Sequence, residues 1–271
     1  MPELPEVETV RRGLIPHLLG QRFSGAIVRD PRLRWPVPSD LDARLAGRRI
    51  ERLERRGKYL ILRLDAGNLI VHLGMSGSLR LVAATVQPAR HDHVDMILDN
   101  GTVLRYHDPR RFGAVLLSDH PEADPLLVRL GIEPLEPGFS GDWLYTASRG
   151  RRSAIKSWLM DSHQVVGVGN IYANEALFHA GIHPLVNAER LSRRRCQCLA
   201  NAVRDTLERA IEAGGSTLRD FVDSHGKPGY FQQTYYVYGR AEQPCRVCGG
   251  AIRLARLGNR ATYFCPRCQK K

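Results

Sequence analysis

A chain of 271 residues, 43% of them apolar, with a formal net charge of +12, is long enough for two cores and too apolar for wholesale disorder. No apolar run approaches the roughly 20 residues that span a bilayer, and the start lacks the basic-then-apolar order of a secretory signal, so neither a membrane nor an exported protein is expected. The excess of Lys and Arg implies a polyanionic partner, nucleic acid first; a generally basic surface is the plainer reading.

"MPELPEVETV" places three carboxylates and two prolines in the first eight residues. Val7, Val10, Leu14 and Leu18 then recur at spacings of three and four, one buried face of a helix that Gly20 can stop and Pro16 can kink or end early. From about residue 23 to 118 the pattern turns to strands. "KYLILRLDAGNLIVHLGM" reads as two strands around a Gly-Asn turn, and "VDMILDNGTVLRY" as a hairpin around Asn-Gly. This half is expected to be an antiparallel β-sandwich or barrel carrying an N-terminal helix. "GIEPLEPGFSGDW" (131–143) reads as a linker. Helices follow, among them one with Leu199, Val203, Leu207 and Ile211 on one face, closed by Gly214-Gly215. "GGSTLRDFVDSHGKPGYF" reads as a loop. The expected division is 1–132, a linker at 133–150, a helical domain at 151–235 and a terminal module at 236–271, an α+β chain of two domains.

The terminal module carries Cys245, Cys248, Cys265 and Cys268 as two C-x2-C pairs sixteen residues apart. Two such turns complete a tetrahedral zinc shell; disulfides are the alternative, and the missing export signal favours reduced thiols. A closed four-thiolate shell leaves no coordination site for substrate, so the zinc is structural and no catalytic metal is expected. The residues between the pairs read as a β-hairpin with Gly258-Asn259 near its tip, and Arg253, Arg256 and Arg260 make it a candidate phosphate grip. Cys196 and Cys198 read as ordinary helix residues. Gly167 and Gly169 precede Asn170 and a helical pattern, where backbone N–H groups can approach a phosphate; an ordinary tight turn is the other reading.

"PELPEVETVRRGL", "HLGMSGSLR", "DPRRFG", "VVGVGNIYANEALF", "GKPGYF" and the four-cysteine hairpin together resemble the formamidopyrimidine-DNA glycosylases, over nearly the whole chain and in the family's order. The related endonuclease VIII group shares the architecture but typically has Gly at the position of Leu4. The resemblance implies a β-sandwich catalytic domain, a helix-two-turn-helix domain and a zinc finger. The implied enzyme is a bacterial, cytoplasmic, nucleoid-associated monomer that excises oxidised purines from damaged double-stranded DNA and cleaves the abasic strand.

The resemblance assigns the nucleophile to Pro2, freed by removal of Met1. A bare α-amino group has a pKa of about 7.7–8.0, so a neutral fraction exists near neutral pH. Glu3 is implied as general acid, Glu6 as its support, and Lys58 as a further participant in excision. Acids and an early proline are also what an ordinary helix start uses. Met75, Arg110 and Phe112 are implied to fill the hole left by an everted nucleotide, though "DPRRFG" also reads as an ordinary basic turn. His72, Asn170, Tyr238 and Arg260, with Lys58, match phosphate-gripping positions, Lys156 matches one linked to oxidised guanine, and the loop from Ser216 to Tyr230 matches a segment that caps the extruded base. The alternatives are an endonuclease VIII-like preference for oxidised pyrimidines, a non-catalytic zinc-finger DNA-binding protein and, more weakly, a metal-dependent nuclease.

Overall fold

The computed structural model describes residues 2–214 and 235–271. Met1, Gly215 and the expected capping segment at 216–230 lie outside the described residues. One compact unit is built from residues 2–128 and another from 129–212 and 235–271.

The first unit opens with α1 (Leu4–Leu18). Val7, Val10, Leu14 and Leu18 are fully buried on its inner face, as their spacing requires. Pro16 lies inside the helix, with only two helical residues after it. That close to the C-terminus, the lost N–H and the steric clash cost a single turn.

Eight strands follow: β1 (Phe23–Val28), β2 (Ile50–Arg56), β3 (Tyr59–Leu64), β4 (Asn68–His72), β5 (Ser78–Ala83), β6 (Asp92–Leu98), β7 (Thr102–His107) and β8 (Ala114–Ser118). They form two antiparallel four-stranded sheets, ordered β1-β6-β7-β5 and β2-β3-β4-β8. Leu60, Leu62 and Val71 of one sheet and Val94, Met96 and Leu104 of the other share a single core with α1, the arrangement of a sandwich. Gly67 and Gly101 sit in the two hairpin turns with φ +76° and +81°, a region that favours glycine. A short helix, α2 (Leu41–Leu45), interrupts the strand-rich stretch and was not expected; Leu41 and Leu45 plug it into the core.

β7 also carries Arg105, which is 3% exposed. The register pairs it with Asp95 of β6, and its guanidinium donates to both Asp95 carboxylate oxygens at 2.8 Å. Arg29 reaches the same carboxylate at 2.6 Å. A buried pair of this kind tolerates neither partner alone.

The second unit begins with α3 (Gly141–Ser148), which lies within the expected linker 133–150. Ser140 caps it by accepting the Trp143 N–H at 3.2 Å. α4 (Ile155–Leu159), α5 (Asn170–His179) and α6 (Arg193–Glu212) follow among the described residues, with α6 packed on α3 and α5. Leu199, Val203, Leu207 and Ile211 form the buried face of α6 and Gly214 follows at φ +78°. β9 (Arg253–Leu257) and β10 (Arg260–Phe264) pair as an antiparallel hairpin. Phe178 of α5 joins Val237, Ile252 and the buried cysteines in a second core.

Leu14→Ala deletes fully buried side-chain volume under both sheets. It is expected to lower unfolding stability by about 2–5 kcal/mol in chemical denaturation.

Candidate active site and metal centre

The start of α1 is buried although it is polar. Pro2 is buried, Glu3 is 3% exposed and Glu6 is fully buried. Glu6 Oε2 accepts the Glu3 backbone N–H at 2.7 Å, and the Glu3 carboxyl accepts the Glu6 N–H, closing a capping box. Pro5 sits in the first turn, where a missing N–H costs nothing. The Pro2 nitrogen and the Glu3 carboxyl are thus held on consecutive residues at the positive end of a helix dipole. Glu8, one turn on, binds Arg11 at 2.8 Å, Arg12 at 2.9 Å and Arg55 at 3.3 Å. Burial raises its pKa, but the arginines outweigh that and hold it below the ordinary carboxylate value. The Arg55 bond lays α1 against β2, just before the Gly57-Lys58 turn.

That turn leads into Tyr59, which the register pairs with His72, and the two rings lie 4.6 Å apart. Burial, then the charges of Lys58 and Arg34, push the His72 pKa down to about 4. His72 Nδ1 accepts the Gly74 N–H at 3.1 Å, so the neutral ring carries its proton on Nε2. Arg34, exposed and stacked on Trp35 at 4.7 Å, belongs to this cluster. The sequence reading missed it, and "RLRW" carries no pattern that singles it out.

Two loops follow from β4 and β7. Met75 lies in the first, half-buried; Arg110 and exposed Phe112 lie in the second, with the guanidinium 4.8 Å from the ring centroid. Gly74, at φ +63°, backs directly onto Phe112 and Gly113, and a Cβ there would stand 2.5 Å from the Gly113 nitrogen. The structure therefore brings Met75, Arg110 and Phe112 onto touching loops of one unit. Asp108, at the head of "DPRRFG", is fully buried beneath them and was also missed. Asp followed by Pro is a turn signal that could have found it.

In the second unit, Gly167 has φ +80° and Gly169 caps α5, so Asn170 opens a helix as the spacing predicts. Eight consecutive residues of α5, Ile171 to Phe178, are buried, which obliges the polar ones to find partners. Asn174 Oδ1 accepts the Tyr263 N–H of β10 at 2.8 Å. Glu175 accepts the backbone N–H groups of Tyr236, Val237 and Tyr238 at 2.8, 3.0 and 2.8 Å. Burial raises its pKa even though these three donors pull it down. Glu175 thereby fixes the chain that presents Tyr238, whose ring stands edge-on to Tyr235 and Tyr263. Inside a helical pattern, Glu175 carries no sequence signal for this role.

Lys156 is 1% exposed, and its ammonium donates to Ala261 O and Thr262 Oγ1 at 2.8 Å each. Its observed role is to tie α4 to the hairpin, beside a cavity of about 410 Å³ lined also by Met160, Asn259 and Arg260. The hairpin register places Arg253 and exposed Arg260 on one face and Arg256 on the other, so the three arginines do not form a single row.

Cys245, Cys248, Cys265 and Cys268 place their sulfurs within 4.8 Å of one another, with separations of 3.9 Å for Cys245–Cys268 and 3.5 Å for Cys248–Cys265. A tetrahedral zinc with bonds of about 2.3 Å requires edges of about 3.8 Å, so the four sulfurs fit that ion. Cys196 is buried on α6, where burial lifts its pKa to about 11, and Cys198 is exposed there.

Three families match successive parts of the chain: the formamidopyrimidine-DNA glycosylase N-terminal domain over residues 1–115, its H2TH domain over 130–222, and the zinc finger found in FPG and IleRS over 242–271. The formamidopyrimidine-DNA glycosylase of Stutzerimonas stutzeri is 60% identical over 270 residues, covering 100% of both chains. The chain belongs to the formamidopyrimidine-DNA glycosylase family. The Methylococcus capsulatus member is 56% identical over 271 residues, again with 100% coverage of both. Among solved structures, the Thermus thermophilus MutM (Fpg) protein is 40% identical with a TM-score of 0.87, covering 99% of this chain and 98% of that one. A Lactococcus lactis Fpg mutant, G226P, in complex with a Fapy-dG containing DNA is 34% identical with a TM-score of 0.92 over 100% of both chains. The four-cysteine cluster lies in the matched finger, and it holds one structural zinc per chain.

Cys265→Ser is expected to lose the metal and to lower the melting temperature; one zinc per chain retained, by atomic emission, would contradict the shell. His72 tests the other unit. Its folded-state pKa of about 4 lies below an unfolded value of about 6.5, so protonation favours unfolding. The stability it supports is present above pH 6.5 and drains away as pH falls toward 4. His72→Gln should therefore lose less stability than the parent between pH 6.5 and pH 4.5 in urea melts. His179, lowered to about 4 by burial, and His183, also lowered by burial, add acid sensitivity of the same sign.

Proposed function

We propose that this DNA glycosylase of base-excision repair removes formamidopyrimidines and 8-oxoguanine from duplex DNA and cleaves the resulting strand through an amino-terminal proline. The observation that carries the reading is the capping box that holds Glu3 behind Pro2 in a buried helix start. The full-length similarity to a protein solved with a Fapy-dG containing DNA supports the choice of substrate.

Removal of Met1 converts Pro2 from an amide into a secondary amine. Its nitrogen attacks C1′, the N-glycosidic bond breaks with its electron pair leaving on the base, and the proton released from the Pro2 nitrogen neutralises the departing base. Glu3 gives its proton to the sugar ring oxygen, the C1′–O bond opens, and the nitrogen lone pair forms an iminium ion. That cation is an electron sink, so loss of the C2′ proton expels the 3′ phosphate and a second elimination expels the 5′ phosphate. Glu6 holds the Glu3 backbone while this proceeds. Lys58, neutral His72 and, in the other unit, Asn170, Tyr238 and Arg260 are assigned to phosphate oxygens. Met75, Arg110 and Phe112 fill the vacated stack, two apolar wedges and a forked donor for the orphaned base. Lys156 acts on oxidised guanine through the hairpin it anchors, rather than by reaching the base itself. The zinc takes no part in bond-breaking because four thiolates saturate it. We assign the enzyme to the bacterial cytoplasm, close to the nucleoid, acting as a monomer.

Borohydride should trap a covalent complex with DNA containing 8-oxoguanine more readily than with DNA containing thymine glycol. The reverse order would move the assignment to oxidised pyrimidines. Pro2→Gly should sharply reduce trapping, and Glu3→Gln should bind damaged DNA without excising the base. Undiminished excision by Glu3→Gln would remove the acid.

A further inference from the structure

Asp108 offers two carboxylate oxygens, and the side chain is fully buried. Oδ1 accepts the Ser76 hydroxyl at 3.2 Å and the Arg110 backbone N–H at 3.3 Å. Oδ2 accepts the Gly113 N–H at 2.9 Å and lies 3.3 Å from the Tyr106 hydroxyl, which also reaches the His72 carbonyl at 3.0 Å. The Asp108 main chain is engaged as well, its carbonyl taking the Arg111 N–H at 3.2 Å and bonding His93 Nε2 at 2.8 Å. One side chain thus touches the loop that carries Met75, through its neighbour Ser76, and both ends of the loop that carries Arg110 and Phe112.

The second loop needs such an anchor. Arg111 has φ +56°, a left-handed conformation unusual for a side chain of its size. Released, the loop would relax toward ordinary backbone angles and Phe112 would lose its direction. Phe112 is 46% exposed and its ring meets the Arg110 guanidinium of the same loop, so its direction follows the backbone of that loop.

We infer that Asp108 is a positioning residue that yokes the two hole-filling loops into one rigid wedge, so that eversion of a stacked nucleotide, rather than bond cleavage, depends on it. The inference rests on the proposed role of Met75, Arg110 and Phe112. Asp108→Asn is the discriminating change because it keeps shape and removes acceptor capacity. Whichever way the new amide turns, its NH2 faces a backbone N–H, that of Arg110 or that of Gly113, and neither of those can rotate away.

The test compares single-turnover excision of 8-oxoguanine paired in a duplex with excision of the same lesion inside a mismatch bubble, where stacking is already lost. For Asp108→Asn we expect a loss of about 10- to 100-fold on the duplex and about twofold or less on the bubble. Ser76→Ala, which cuts only the link between the loops, should show the same selectivity more weakly; it decides the matter if Asp108→Asn melts below the assay temperature. Equal losses on both substrates would make Asp108 merely structural and overturn the inference, as would no loss on either. Phe112→Ala separates the two layers. If it is selective for the duplex and the Asp108 and Ser76 variants are not, the yoke fails and the wedge stands; if Phe112→Ala is not selective, the wedge reading itself fails.

Discussion

A buried carboxylate that accepts backbone N–H groups recurs at three places beside the candidate site residues. Glu6 takes the N–H of Glu3, Asp108 those of Arg110 and Gly113, and Glu175 those of Tyr236, Val237 and Tyr238. Each takes a polar carboxyl group out of water, which is costly, and recovers the cost only while all of its donors stay in place. The backbone around each is therefore held more tightly than turn propensity alone would hold it. The candidate site residues Pro2, Arg110, Phe112 and Tyr238 lie at or next to the backbone groups that these carboxylates hold, where small errors of direction would matter most.

The positive charge of the chain is distributed by a related economy. A net charge of +12 favours a polyanion in general, yet the arginines differ in use. Arg105 is buried between Asp95 and Asp92 and stiffens the sandwich, whereas Arg34 and Arg260 are exposed. His72 contributes no charge near neutral pH. Burial and the neighbouring cations keep it neutral, so among Lys58 and Arg34 it offers a directed Nε2–H and adds no repulsion. Point charge attracts a phosphate, and a fixed neutral donor orients it.

The metal centre draws all four of its ligands from the second unit. The thiolates close their shell, and the finger they stabilise is docked to α5 through Phe178 and the Asn174 bond to β10. Lys156 adds a third tie from α4. Zinc thus acts on the hairpin tip through geometry, by holding the base of the β9–β10 ribbon that ends at Asn259 and Arg260.

Periodicity and spacing were enough to read the burial of Val7, Val10, Leu14 and Leu18, the hairpins at Gly67 and Gly101, the face of α6 and the zinc ligands. Those signals are local: a helix repeats every 3.6 residues, a strand every two, and two C-x2-C turns carry their own geometry. The motifs that resemble the family named the residues at α1 and on the two loops, but not what holds them. Glu175, Arg34 and the inward turn of Lys156 were illegible, because each is defined by partners far away in the chain or by burial, and Asp-Pro marked a turn at Asp108 without showing what its carboxylate holds. The helix α3, placed in a linker by the prolines and glycines of the stretch that precedes it, shows the same limit in reverse: it packs on α6. Chain order settled which chemical groups this protein possesses. Only the tertiary structure decided which of them are buried acceptors and which are exposed donors, since desolvation and hydrogen-bond satisfaction are properties of a packed interior and not of a sequence.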